Sequence, residues 1–322
     1  MNAPGPDIDA EYRQLREECG LLRQNASFLT VEGPDAAEYL HSQVTNDIET
    51  LEAGEGRYCC LLDRKGHIQA DMRILRTGEQ SFRIVCEPGA SASLEKHLVT
   101  YSIGRDVRIS PGDETLVSLI GPATFTVTGV APGDEHDSVP SRIDGIDCLM
   151  VATPTGVDVI APAEAADRIV GELLEAGSEE VSEAAVEILR VESGRPRFER
   201  ELSGGPMPAE AGLVERAVSF TKGCYIGQEP VARLHYKGRP NRMLRGLKLV
   251  GRVGAGDLVR SAERELGTID SVALSPVEGW IGLSILRREA EVGHTVEVVT
   301  GDGVVEAKVT ELPFPAALAE LV

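Results

Sequence analysis

No run of about 18 apolar residues occurs in this chain, so no segment is suited to cross a bilayer as a helix. The N-terminal residues lack the basic and then apolar order of a secretory signal. Met1 to Ala10 is polar and acidic, with Pro4 and Pro6, and reads as a loose leader. The expected location is the cytoplasm. Cysteine is sparse: Cys19, Cys59, Cys60, Cys86, Cys148 and Cys224 are the only six in 322 residues, and none are spaced as Cys-x-x-Cys, which excludes a disulfide scaffold. The six histidines are scattered without metal-ligand spacing, and no protein-bound metal is expected. Basic residues are outnumbered 32 to 52, and the resulting net charge of −20 opposes non-specific nucleic-acid binding over most of the surface.

A chain of this length divides into two or three domains, because single cores stop growing before it. With 42% hydrophobic and 26% charged residues its composition is that of a globular protein. Phe28 to Glu32 reads as a strand, and Gly33-Pro34-Asp35 opens a helix. Arg57 to Leu62 and His67 to Arg76 read as strands paired around Asp63-Arg64-Lys65-Gly66, with a third strand at Ser81 to Glu87. Helices are predicted over Ser93 to Ile103 and Glu164 to Ala176. After Pro240 short apolar strands alternate with Gly- and Pro-rich turns, the cadence of a small antiparallel barrel or sandwich. The fold class is therefore α+β, with a leader over 1–20, two α+β subdomains over 21–240 and a small antiparallel barrel or sandwich over 241–322.

Cys224 lies within Lys222-Gly223-Cys224-Tyr225-Ile226-Gly227-Gln228-Glu229. Nearby cations favour a thiolate, and the glycines permit a tight turn and close approach of a ligand. The same octapeptide also fits a buried cysteine in a turn between domains. Cys59 and Cys60 alternate along a strand, so they face opposite ways and read as core residues. Glu192 ends a helix whose own dipole opposes a carboxylate there. Its partner is either the amino-pyrimidine edge of a ligand or Arg190 or Arg195. Val231 to Val250 contains no Asp or Glu but carries Arg233, Lys237, Arg239, Arg242, Arg245 and Lys248. This strip suits a compact anion better than a long phosphate track, although a solvated loop is the other reading.

The octapeptide, together with Val31-Glu32-Gly33-Pro34-Asp35, Thr45-Asn46-Asp47, Arg190-Val191-Glu192-Ser193-Gly194 and Pro206-Met207-Pro208-Ala209-Glu210, resembles the YgfZ/GcvT folate-binding family. The KGCYIGQE signature points to the YgfZ branch, which is related to the aminomethyltransferase (T-protein) of the glycine cleavage system. The resemblance implies a multidomain ring around a central site for tetrahydrofolate or another reduced folate, with a barrel closing one side. It implies Cys224 as the working thiol beside Lys222, and Glu192, Tyr58, Tyr225, Gln228, Arg233 and Arg239 as folate contacts. In the YgfZ branch the implied role is iron–sulfur cluster assembly or repair, and through it tRNA modification. The implied partners are folate and iron–sulfur proteins or assembly factors, with direct tRNA contact the weaker reading. Aminomethyl transfer to tetrahydrofolate is the alternative. Against it stands Pro88-Gly89-Ala90-Ser91-Ala92-Ser93-Leu94, which holds no acid where T-proteins place a catalytic aspartate.

Overall fold

The computed structural model describes residues 7–131, 133–262 and 264–318. It divides into two compact units. The first takes in the chain up to Lys65, Gln69–Glu183 and Arg216–Gln228; the second takes in Gly66–Ile68, Ala184–Glu215 and the chain from Glu229 on. Neither unit is continuous in sequence. Among the described residues no helix is long and apolar enough to cross a membrane.

In the first unit the strands are β1 (Gly20–Gln24), β2 (Ser27–Glu32), β3 (Gly56–Leu62), β4 (Ile68–Gly78), β5 (Ser81–Cys86), β6 (Arg108–Pro111), β7 (Glu114–Ile120), β8 (Ser138–Ile143), β9 (Ile146–Thr153), β10 (Gly156–Pro162) and β11 (Glu179–Glu180). The helices are α1 (Ile8–Glu17), α2 (Ala36–Gln43), α3 (Pro88–Tyr101), α4 (Thr124–Thr128) and α5 (Ala166–Glu175). The strands build a six-stranded sheet, ordered β11-β1-β7-β10-β9-β8, and a five-stranded sheet, ordered β3-β4-β5-β2-β6. Residues 8–17, within the stretch read as a leader, form α1, whose first turn is capped by the Asp7 carboxylate on the Ala10 amide. The helix predicted from Ser93 begins earlier, because Pro88 occupies its first turn and has no N–H to leave unpaired.

Two layers of packing hold this unit. Val117, Leu119, Val157 and Val159 of the larger sheet pack with Ile169, Val170 and Leu173 of α5. Phe28, Leu75 and Val85 of the smaller sheet meet Leu116, Val151 and Ile160 of the larger one. Each such side chain contributes about 1.5–3 kcal/mol by leaving water. Along β4 the period of two sends Ala70, Met72 and Ile74 into the core, and leaves Asp71, Arg73 and Leu75 on the opposite face.

The chain continues through α6 (Glu183–Glu192), α7 (Val214–Ala217) and α8 (Gln228–Lys237), then β12 (Arg242–Leu249), β13 (Leu258–Ser261), β14 (Arg264–Thr268), β15 (Ser271–Ser275), β16 (Gly279–Arg287), β17 (Thr295–Thr300), β18 (Gly303–Thr310) and α9 (Pro315–Leu318). The last seven strands form one sheet, ordered β14-β13-β17-β18-β12-β16-β15, over a core that includes Leu247, Val259, Leu286, Val296, Val298 and Val309. The expected C-terminal barrel is thus corrected to an open, half-barrel sheet that ends at β14 and β15. Short strands and tight turns are common to open and closed sheets. Closure depends on a pairing of first and last strands, which local sequence does not encode.

Candidate functional site

The first unit gathers a group of ionisable side chains on β3 and β4. Tyr58 and Cys60 are two residues apart on β3 and share a face, while Cys59 takes the other. Tyr58 Oη donates to Asp71 Oδ2 at 2.6 Å. The second carboxylate oxygen, Asp71 Oδ1, is buried with no hydrogen-bond partner. Burial is the main cause that lifts the Asp71 carboxyl to about 6; the Tyr58 hydrogen bond works against the rise and the charge of Glu87 adds to it. Burial and then Asp71 push the Tyr58 phenol well up, so it stays protonated and remains a donor. The Arg216 guanidinium lies 5.1 Å from the Tyr58 ring centroid and pairs with Glu135 at 2.7 Å. His136 stacks on Tyr58 with centroids 6.3 Å apart. Asn46 ties the cluster together, since its Nδ2 donates to the carbonyls of Tyr58 and Arg216.

Chemically this arrangement could serve acid/base chemistry. A carboxyl that titrates near neutrality can both give and take a proton at working pH, and Tyr58 fixes its orientation. Sequence reading missed Asp71 because the search for an acid was confined to the start of α3. That first turn holds none. The signal that could have found it is the pattern of β4, where an aspartate stands on the face opposite a regular apolar row.

The loop before α8 borders this cluster. Lys222 is buried, and its Nζ donates to the carbonyls of His41, of Val44 at 2.6 Å and of Asn46 at 3.0 Å. These three bonds use all three ammonium donors. The Lys222 charge therefore closes the turn after α2, and none of its N–H groups is left for Cys224. Burial lowers its pKa to about 8. Its Nζ also lies 4.9 Å from the Tyr225 ring centroid. Tyr225 is buried, its Oη has no partner, and burial followed by the charge of Cys60 pushes its phenol up to about 12. Cys60 also acts electrostatically on Tyr58. Tyr58, Asp71, Cys60 and Tyr225 thus form one neighbourhood.

Cys224 is exposed, whereas the other five cysteines are buried. Cys59 and Cys60 are fully enclosed, and burial pushes the Cys59 thiol up to about 12. Gln228 is half-buried, and its amide donates to the Tyr225 carbonyl across a turn in which Gly227 has φ of 82°.

Glu192, Arg233 and Arg239 belong to the second unit. Glu192 is completely buried: its Oε1 accepts from Ser275 Oγ at 2.5 Å, and its carbonyl accepts the Phe314 amide. The Arg190 guanidinium is taken by Glu187 at 2.7 Å and Glu201 at 3.1 Å. The basic strip is divided in use. Arg242 pairs with Glu210 and Lys248 with Glu278, while Arg233 and Arg239 are exposed.

A model of the GCVT N-terminal domain matches residues 5–222, more than half of the chain. An aminomethyltransferase of Chlorobium luteolum is 29% identical over 332 residues, covering 95% of this chain and 90% of the relative. An aminomethyltransferase of Listeria monocytogenes is 26% identical over 326 residues, covering 95% and 89%. The crystal structure of the glycine cleavage system aminomethyltransferase T from Bartonella henselae superposes with a TM-score of 0.86 at 23% identity, covering 95% of this chain and 89% of that one, and shares its fold. The chain belongs to the family of the GCVT N-terminal domain, and its fold is GcvT-like α+β.

Proposed function

We propose that this protein binds a reduced folate and transfers a one-carbon unit to it in the manner of an aminomethyltransferase, with Asp71 as the acid/base group. The observation that carries this reading is the Tyr58–Asp71 pair, with one carboxylate oxygen held and the other buried and unpartnered among the described residues. The residues fit a folate: the buried Asp71 Oδ1 and Tyr225 Oη lack partners, and a ring edge bearing amines and a carbonyl can supply both a donor and an acceptor. Tetrahydrofolate, when bound, supplies the nucleophilic amines that accept the one-carbon unit. Asp71 holds a proton near neutrality and exchanges it at Oδ1. Tyr58 keeps Oδ2 engaged, so that the exchanging oxygen is the one that faces the ligand. The buried walls of Cys60 and Tyr225 exclude water, which strengthens each charge inside. The relatives that share most of the chain's length are named aminomethyltransferases, which favours this reading over a purely structural one.

The test is direct. Purified protein is mixed with aminomethylated carrier protein and tetrahydrofolate, and ammonia and methylene-tetrahydrofolate are measured. Formation of both, lost in Asp71→Asn, supports the proposal; no product from the wild type overturns it.

A second reading is favoured by one observation, the exposure of Cys224 alone among the cysteines. In that reading the protein is of the YgfZ type, folate occupies the same site, and Cys224 meets iron–sulfur proteins or their assembly factors, with tRNA modification affected downstream. A strain lacking the protein that keeps full iron–sulfur enzyme activity and thiolated tRNA under oxidative stress rules this reading out.

A further inference from the structure

A cavity of about 410 Å³ opens in the second unit, away from any residue used above for one-carbon chemistry. Its lining carries charge of both signs. One acid is Asp270, whose Oδ2 accepts the Ile285 amide at 3.0 Å. Behind it stands Glu201, buried and held through Oε2 by Arg190 Nη1 at 3.1 Å and by the Arg197 amide at 3.0 Å; its Oε1 has no partner. The two acids feel each other: burial first, and then Glu201 among the neighbouring charges, raises Asp270 to about 6.

The lining also holds two arginines. Arg242 on β12 and Arg287 on β16 are direct cross-strand partners. Like charges placed opposite one another destabilise a sheet unless something negative lies between them. Arg242 is partly neutralised by Glu210, at 3.2 Å. Arg287 is exposed and makes no side-chain hydrogen bond or ion pair among the described residues. It follows Ile285, the residue that anchors Asp270, by two positions on the same strand. The Arg287 and Asp270 side chains both line this cavity, with Leu266 supplying an apolar wall. Glu265, also at the edge, is exposed.

We propose that this cavity binds a small α-amino acid, its ammonium group donating to Asp270 in the field of Glu201 and its carboxylate bridging Arg287 and Arg242. Acids and arginines on one lining suit a zwitterion. A simple amine would leave the arginine pair opposed, and a simple anion would face the two acids. The cavity has room for a side chain of modest size, and the site is independent of the folate reading.

Saturation-transfer NMR and calorimetry on the full chain, with the common α-amino acids and N-methylglycine as probes, test this. The controls are N-acetylglycine, which lacks the ammonium, ethylamine, which lacks the carboxylate, and magnesium ion. The expected result is saturable binding of at least one α-amino acid, weakened about tenfold or more in Arg287→Ala and in Asp270→Asn, with Asp71→Asn unchanged. Arg287 is exposed, so its variant keeps the fold, and an unshifted thermal melt verifies this. Absence of binding by every α-amino acid tested overturns the proposal. So does binding that N-acetylglycine, ethylamine or magnesium matches, or binding that survives both variants.

Discussion

Tyr58 donates its phenolic proton to Asp71 Oδ2 across 2.6 Å, and Oδ1 of that carboxyl is buried without a hydrogen-bond partner among the described residues. The pair divides the labour of one acid between two atoms. In the proposed reaction Oδ2 sets the orientation and Oδ1 exchanges the proton.

Removing the orienting bond should therefore change the acidity of Asp71 as well as its position. The Tyr58 hydrogen bond lowers the Asp71 pKa against the larger effect of burial. In Tyr58→Phe the apparent pKa of the acid limb of the rate profile should move upward from about 6, and turnover should fall about tenfold or more. A rate profile of Tyr58→Phe that overlays the wild type would assign the phenol no such role. Asp71→Asn should lose about a hundredfold or more in rate while retaining folate binding.

Asp71 also carries a stability cost. Its folded pKa, about 6, lies above the ordinary value of 3.8, so the folded chain holds more protons than the unfolded chain between those values. The favourable contribution is complete below the unfolded value and is lost as pH rises through about 6. Asp71→Asn should then gain about 2 kcal/mol on the wild type at pH 7.5 relative to pH 4. Denaturant melts at the two pH values measure it. A constant difference between variant and wild type would show that the carboxyl is not perturbed.

Lys222 and Cys224, neighbours in one motif, should behave differently on substitution. Lys222→Met leaves the carbonyls of His41, Val44 and Asn46 without their donor and should destabilise the protein by about 2–4 kcal/mol. Cys224→Ala removes an exposed side chain and should stay within about 0.5 kcal/mol of the wild type. Equal melting temperatures for Lys222→Met and the wild type would show that the lysine does not close this turn.

Native thiol labelling should count one cysteine. Brief exposure to a maleimide, followed by intact mass measurement, should add a single label, lost in Cys224→Ser, while the unfolded chain takes six. Rapid labelling of Cys59 or Cys60 in the native protein would contradict their burial.

How much of this could be read beforehand differs from element to element. The hairpin around Asp63 to Gly66 and the helix over Ala166–Glu175 were legible, because turn chemistry and a repeat of 3.6 or 2 residues are local properties. The α+β class followed from the same periodicities. The glycines of Lys222 to Glu229 marked a turn, and Gly227 takes a φ of 82° there, while the opposite facing of Cys59 and Cys60 followed from strand geometry. The tertiary structure decided the rest. It assigned the Lys222 ammonium to three carbonyls of a segment some 180 residues earlier, left Cys224 as the exposed thiol, and kept the C-terminal sheet open at β14 and β15. Above all it set Asp71 against Tyr58. Their bond joins two strands, and the proton affinity of the carboxyl depends on how much water the surrounding fold removes, a quantity that no local stretch of sequence contains.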